Sequence, residues 1–191
     1  MDGLLRVGLG EAELDRFDTE GATARKLGPR DIAPCLAQRA LGATTVGGTL
    51  AACAVAGIRF MATGGLGGVH RGFPSPPDVS ADLGELARVP ALVVSSGIKS
   101  LLDVPATVEL LETLSVPVIG WRTAELPLFY AAKGGPPASA RVDSAIEAAV
   151  VARAHWALGR AALLLARPPD ESLDDAEPLI AEALARAEAE G

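Results

Sequence analysis

GATTVGGTLAACAVAGIRFMATGG, residues 42–65, reads in three steps. TTVGGTLAACAVAG carries small residues at helical spacing, which lets a helix pack very closely against its neighbours. IRFMAT then reads as a buried strand that ends at glycines. Helix, strand and glycine-rich loop form the ordinary unit of an α/β fold, and the loop is where binding groups collect.

Outward from this stretch the alternation repeats. Toward the N-terminus, LLRVGL is a short apolar run and GEAELDRF has the acidic first turn of a short helix. ATARKLGPRDIAPCLAQRAL begins with a short strand and offers Asp31 as a helix-start residue, so Lys26 and Arg30 fall near a strand-to-helix junction. Toward the C-terminus, VSADLGELARVP is a helix with Ser80 at its N-cap, and ALVVSS is a β-branched strand. IKSLLDVPATVELLETL reads as two short helical stretches separated near Pro105, and VPVIGW as a strand. AELPLFYAAKGGPPASARV is irregular, DSAIEAAVVARAHWALG a helix and RAALLLARPP a strand. The last stretch, DDAEPLIAEALARAEAEG, is helical with Pro178 in its first turn. The expected architecture is one domain over residues 1–191, a three-layer α/β/α fold with a mostly parallel central sheet, whose strand order the sequence does not fix.

Composition narrows the function. Hydrophobic residues make up 49% of the 191, enough to fill a core, but only 4% are aromatic. A formal net charge of -7 and so few aromatics argue against a nucleic-acid surface, which needs clustered cations and stacking rings. Cys35 and Cys53 lack metal-ligand spacing and read as buried thiols. The acidic N-terminus lacks a secretory pattern, and no apolar run is long enough to span a membrane, so a cytoplasmic protein is expected.

Chemistry-bearing residues cluster in three places. In Ala62–Arg71, ATGGLGGVHR, four glycines permit tight or positive-φ turns with exposed amides, while Thr63, His70 and Arg71 add donors and charge. Neither a P-loop nor a dinucleotide fingerprint is present, so the stretch is either a sugar-phosphate loop or a tight structural turn. Asp78 and Asp82 bracket Ser80; they suit a hard divalent ion held partly by water, contacts to substrate hydroxyls, or helix capping alone. Lys99 follows an apolar strand at its mouth. Partial burial or a neighbouring cation such as Lys26 would favour the uncharged amine that attacks an electrophilic sugar carbon; the alternative is a solvated lysine. His155, inside an apolar helix beside Trp156, reads as a packing residue.

Taken together, Gly42-Ala43-Thr44-Thr45-Val46, residues 62–72, residues 78–83, Ser96-Gly97-Ile98-Lys99-Ser100, Leu110-Leu111-Glu112-Thr113 and Val116-Pro117-Val118-Ile119-Gly120 resemble, in order and spacing, the pseudouridine-5'-phosphate glycosidase (indigoidine synthase A-like) family. The resemblance implies an α/β/α enzyme, a homotrimer using manganese, that reversibly cleaves the C-glycosidic bond of pseudouridine 5'-phosphate to uracil and ribose 5-phosphate. It implies that Lys99 attacks C1' and forms an imine-type intermediate. Lys26 matches the second lysine, Asp78 the metal-associated aspartate, and Ser80-Ala81-Asp82 the substrate segment. His70 matches the phosphate-side histidine, and Val46 a substrate-contacting position. The family's general-acid glutamate, in a Glu-Ser-Thr segment, and a later asparagine find no match in these residues, so the chain is expected to lack N-terminal and C-terminal portions of the family. Two other readings share the same site: a C-glycosynthase joining ribose 5-phosphate to another aromatic acceptor, and an inactive sugar-phosphate-binding or oligomer-forming homologue.

Overall fold

The apolar runs Leu-Val-Val at 92–94 and Leu-Leu-Leu-Ala at 163–166 have no polar alternation, the signature of strands covered on both faces. A computed structural model, which describes residues 1–75, 77–173 and 176–190, places both inside one parallel sheet. In chain order the elements are α1 (Glu11–Glu20), β1 (Arg25–Leu27), α2 (Ile32–Ala37), β2 (Gly42–Thr44), α3 (Val46–Ala56), β3 (Phe60–Ala62), β4 (Val69–His70) and α4 (Ala81–Leu86). There follow β5 (Leu92–Ser95), β6 (Leu102–Asp103), α5 (Val104–Thr113), β7 (Val118–Trp121), β8 (Ala140–Val142), α6 (Ala145–Ala157), β9 (Leu163–Ala166) and α7 (Ala176–Glu190).

The main sheet runs β3-β5-β9-β7-β8, with every pairing parallel. β9 lies at its centre, which is why all four of its residues are buried. Two small sheets stand beside it, parallel β1-β2 and antiparallel β4-β6. Alternate side chains divide the core between the two faces. Val93, Val118 and Leu164 pack with Leu50 of α3, Leu83 and Leu86 of α4, and Leu111 of α5. Leu92, Ile119, Leu163 and Leu165 face Ala148 and Ala152 of α6. The three expected layers are present.

Local chemistry sets the helix ends. The Thr45 hydroxyl caps α3 by accepting from the Gly48 N–H at 3.2 Å, and Gly57 closes the helix at φ +69°, a conformation that glycine adopts without steric cost. The small residues at the start of α3 serve the close approach expected of them. A Cβ on Gly48 would sit 2.4 Å from the Leu27 carbonyl oxygen at the end of β1. Gly48→Ala is therefore expected to cost roughly 1–3 kcal/mol, read as a lower urea midpoint with unchanged slope.

Several local expectations change. Phe60–Ala62 is not buried: β3 is an edge strand and Phe60 is 70% exposed. Pro105 does not divide two helices. It sits in the first turn of α5, where its missing N–H is not needed, and Asp103 caps that helix through the Ala106 N–H at 3.0 Å. Asp31 precedes α2 without a side-chain cap; its carboxylate accepts instead from the Gly28 N–H at 3.0 Å across a 3-10 turn. The short strands β2, β6 and β8 were not anticipated. Pro178 lies in the first turn of α7 as expected, whereas Asp174, Asp175 and Gly191, assigned by sequence to that helix, lie outside the described residues. Both cysteines are buried and unpaired, and burial pushes the Cys53 thiol up from its ordinary value. Among the described residues no helix is long and apolar enough to cross a membrane.

Candidate active site

Strands β3 and β5 are paired in register, Ala62 opposite Val94, so the loops that follow them leave the sheet side by side. The pairing continues past the strands. Thr63 N–H donates to the Val94 carbonyl at 2.9 Å, Ser96 N–H to Gly64 at 3.0 Å, Leu66 N–H to Gly97 at 3.0 Å and Lys99 N–H to Leu66 at 3.0 Å. Leu66 and Ile98 are fully buried beneath this ladder. The glycine loop and the lysine loop thus form one laced unit at the carboxyl ends of the strands, the usual ligand position in open α/β sheets.

Asp82 ties that unit to α3. It is 4% exposed, and its two carboxylate oxygens accept from different segments: Oδ1 from the Gly47 N–H at 2.7 Å, Oδ2 from the Gly67 N–H at 2.9 Å. Ser80 caps α4 through the Asp82 N–H at 3.2 Å, and residues 78–80 run antiparallel to residues 68–70. The backbone pairing brings His70 Nδ1 to 3.5 Å from Asp78 Oδ2, with both side chains well exposed.

The glycines were expected to supply positive φ and exposed amides. Gly64, Gly65, Gly67 and Gly68 all have negative φ or extended backbone, and at Gly65, Gly67 and Gly68 glycine is needed for space. A Cβ would lie 2.5 Å from the Phe129 ring at Gly65, 2.3 Å from Ser80 Oγ at Gly67 and 2.4 Å from Thr107 Oγ1 at Gly68. The amides of Leu66, Gly67, Val69 and His70 already donate within the protein. Most of the loop is therefore a tightly packed floor rather than an open anion nest.

An open cleft of about 1350 Å³ gathers most of the expected residues. Its walls include Lys26 on β1, Val46 at the start of α3, His70, Asp78 and Lys99. Ser80, Ala81 and Asp82 complete that group. Thr63 and Arg71 do not line it. Thr63 is engaged at the base of the loop ladder, and the Arg71 guanidinium donates to the Ser100 carbonyl at 3.0 Å, supporting the lysine loop from behind. Lys99 is exposed, so its access to the cleft does not come from the partial burial its apolar neighbours suggested. Arg25 also lines the cleft; the Arg25-Lys26 doublet on one short strand was the available signal for it. Phe129, against the glycine loop, had no signal in an irregular stretch.

Among the described residues no three His, Cys, Asp or Glu side chains converge to cage a metal ion. The exposed Asp78 carboxylate beside His70 is nevertheless a suitable single ligand for a hard divalent ion that keeps most of its water.

A parallel sheet with two lysines, a histidine and three aspartates lining a cleft at its strand ends marks an α/β protein with a polar cleft. The chain belongs to the family described as indigoidine synthase A like protein, whose model matches residues 1–191. It is 46% identical to a pseudouridine-5'-phosphate glycosidase of Chloroflexus aurantiacus, over 100% of this chain and 65% of the relative. It is 45% identical to that of Sorangium cellulosum, over 100% of this chain and 62% of the relative. Among solved structures, the prealnumycin C-glycosynthase AlnA in complex with ribulose 5-phosphate superposes with a TM-score of 0.90 at 43% identity, covering 100% of this chain and 64% of that one. An indigoidine synthase A-like protein from Thermotoga maritima gives 0.86 at 38% identity, over 95% and 62%. The chain spans less than two thirds of the length of each of these relatives.

Proposed function

We propose that this chain carries the sugar-phosphate and covalent-capture machinery of a pseudouridine-5'-phosphate glycosidase, an enzyme that cleaves the C-glycosidic bond to give uracil and ribose 5-phosphate. The observation that supports it is the meeting of Lys99 with His70, Asp78 and Ser80–Asp82 in one cleft, in a chain 45–46% identical to proteins of that name.

A carbon–carbon glycosidic bond has no leaving oxygen to protonate, so the cleavage is divided into smaller steps. Lys99 Nζ, as the free amine, attacks C1' of the ribose, and the C1'–O4' bond breaks with O4' taking a proton. The nitrogen lone pair then drives out the base: the C1'–C5 electrons stay with the uracil carbon, which gains a proton, and an iminium remains on Lys99. Water adds to that iminium and releases ribose 5-phosphate. His70 and Lys26 are the side chains proposed to hold the phosphate, and Ser80 offers its hydroxyl to the sugar. Asp82 fixes the floor, each of its oxygens accepting one backbone N–H, and keeps acceptor capacity for a sugar hydroxyl.

The cofactor proposed is a divalent ion, manganese in the resembled family, held by Asp78 and water, where it would add positive charge beside the phosphate. Homotrimeric assembly and a cytoplasmic location are proposed on the same resemblance. The C-glycosynthase reading is a second possibility favoured by the AlnA superposition, because capture of a five-carbon sugar phosphate by Lys99 serves either direction. The test offers the chain ribose 5-phosphate with uracil, and separately pseudouridine 5'-phosphate, with and without manganese. Interconversion read by chromatography supports the glycosidase. Consumption of ribose 5-phosphate only with a different aromatic acceptor supports the synthase, and neither reaction nor binding of the sugar phosphate removes both.

A further inference from the structure

We infer that Phe129 is a positioning residue for Lys99: its ring, mounted on a strap that crosses beneath the lysine loop, sets where the amine stands in the cleft. The inference rests on reading Lys99 as the amine that meets the sugar.

The strap is the run Leu126-Pro127-Leu128-Phe129-Tyr130-Ala131, and it holds the lysine loop at three points. Phe129 N–H donates to the Ser96 carbonyl at 3.0 Å, the Ser100 hydroxyl donates to the Leu128 carbonyl at 2.7 Å, and Gly97 bridges Leu128 between them. Gly97 itself has φ +96°, and a Cβ there would lie 2.1 Å from the Pro127 carbonyl oxygen, so the two backbones are in direct contact. Both ends of the five-residue segment that carries Lys99 are thereby fastened to the strap.

Phe129 closes the arrangement from the other side. Its ring and the Lys99 Cγ flank the same point above Gly65, 2.5 and 3.3 Å from where a Cβ would stand. A side chain on Gly65 would displace one or the other. The ring is braced edge-on by Tyr130, with centroids 4.6 Å apart. Phe129 sits at φ +62°, a left-handed conformation that a residue with a Cβ adopts only at a cost. Strain of this kind persists where the surroundings over-determine it, and it gathers at working sites. Glycine would relieve that strain and forfeit the ring.

Two measurements on the full chain test the role. The sequence has only three lysines, Lys26, Lys99 and Lys133, so reductive 13C-dimethylation gives lysine NMR signals that single substitutions assign. In the folded protein the Lys99 signal is expected to show restricted motion; it keeps this in Phe129→Tyr and becomes as mobile as Lys133 in Phe129→Ala, while Lys26 does not change. With ribose 5-phosphate and borohydride, Phe129→Ala is expected to lower the limiting rate of Lys99 capture by about 10- to 100-fold while leaving half-saturation nearly unchanged. Loss of stability alone would leave the Lys99 signal of the folded molecules as it was, and Phe129→Leu makes the same comparison if the alanine variant does not fold. Identical Lys99 mobility in wild type and in the folded Phe129 variants overturns the inference. If wild type captures no sugar, the functional reading falls and the NMR comparison still decides the role of Phe129.

Discussion

Lys99→Ala is expected to abolish borohydride-dependent attachment of ribose 5-phosphate, a loss of roughly 10⁴-fold or more, because the covalent step is proposed to run through its amine. The second cleft lysine, Lys26, stands on the separate β1-β2 sheet. The substitution should leave stability within about 0.5 kcal/mol, since Lys99 is exposed and its loop is held by backbone bonds that alanine retains. Binding of the unreacted sugar phosphate, followed by calorimetry, should persist with at most a modest loss, as Lys26 and His70 are the side chains proposed to hold the phosphate. Chemistry lost with fold and binding retained is the signature of a nucleophile; parallel loss of all three would assign Lys99 a structural part instead.

Asp82→Ala is expected to be the most damaging single change to the site's framework. It strands the Gly47 and Gly67 N–H groups, both on buried residues, and each abandoned donor costs about 1–3 kcal/mol. The predicted loss is roughly 2–5 kcal/mol in urea unfolding, together with loss of sugar-phosphate binding as α3 and the glycine loop separate. Asp82→Asn is informative because it preserves shape. One of its two positions becomes an amide NH2, a donor that must face an N–H, so it should destabilise nearly as much. A stable Asp82→Ala variant that still binds would show that the loop ladder suffices without the carboxylate.

Much of this was legible in the chain, for identifiable reasons. Residues 92–94, 118–121 and 163–166 are short apolar runs without polar alternation, the pattern of strands buried on both faces. Ser80 announces a helix and caps one. The short strands were not legible. β2 and β6 are three and two residues long, too brief for any period, and exist because a neighbour pairs with them. Phe60 looked like core because hydrophobicity does not say whether a strand lies at the sheet's edge.

The site divides in the same way. Lys26, Val46, His70, Asp78, Ser80, Ala81, Asp82 and Lys99 were visible as motifs, and the fold brings them to one cleft. What the motifs concealed was the division of labour. Asp82 reads as a substrate ligand in sequence, and in the fold its oxygens also accept from Gly47 and Gly67, 35 and 15 positions away. The glycines read as an amide nest, and they are small because Phe129, Ser80 and Thr107 press on them. Arg71 reads as a cleft cation and turns behind the lysine loop. Each of these facts depends on which distant segment is the neighbour, which local sequence does not encode.

The central claim is that the amine of Lys99 meets the anomeric carbon of a phosphorylated pentose. Peptide mass analysis of the wild-type chain after reduction with borohydride in the presence of ribose 5-phosphate tests it most directly. The predicted result is a single reduced pentose-phosphate adduct on the peptide containing Lys99; a folded protein carrying the adduct on Lys26 or Lys133, or carrying none, contradicts it.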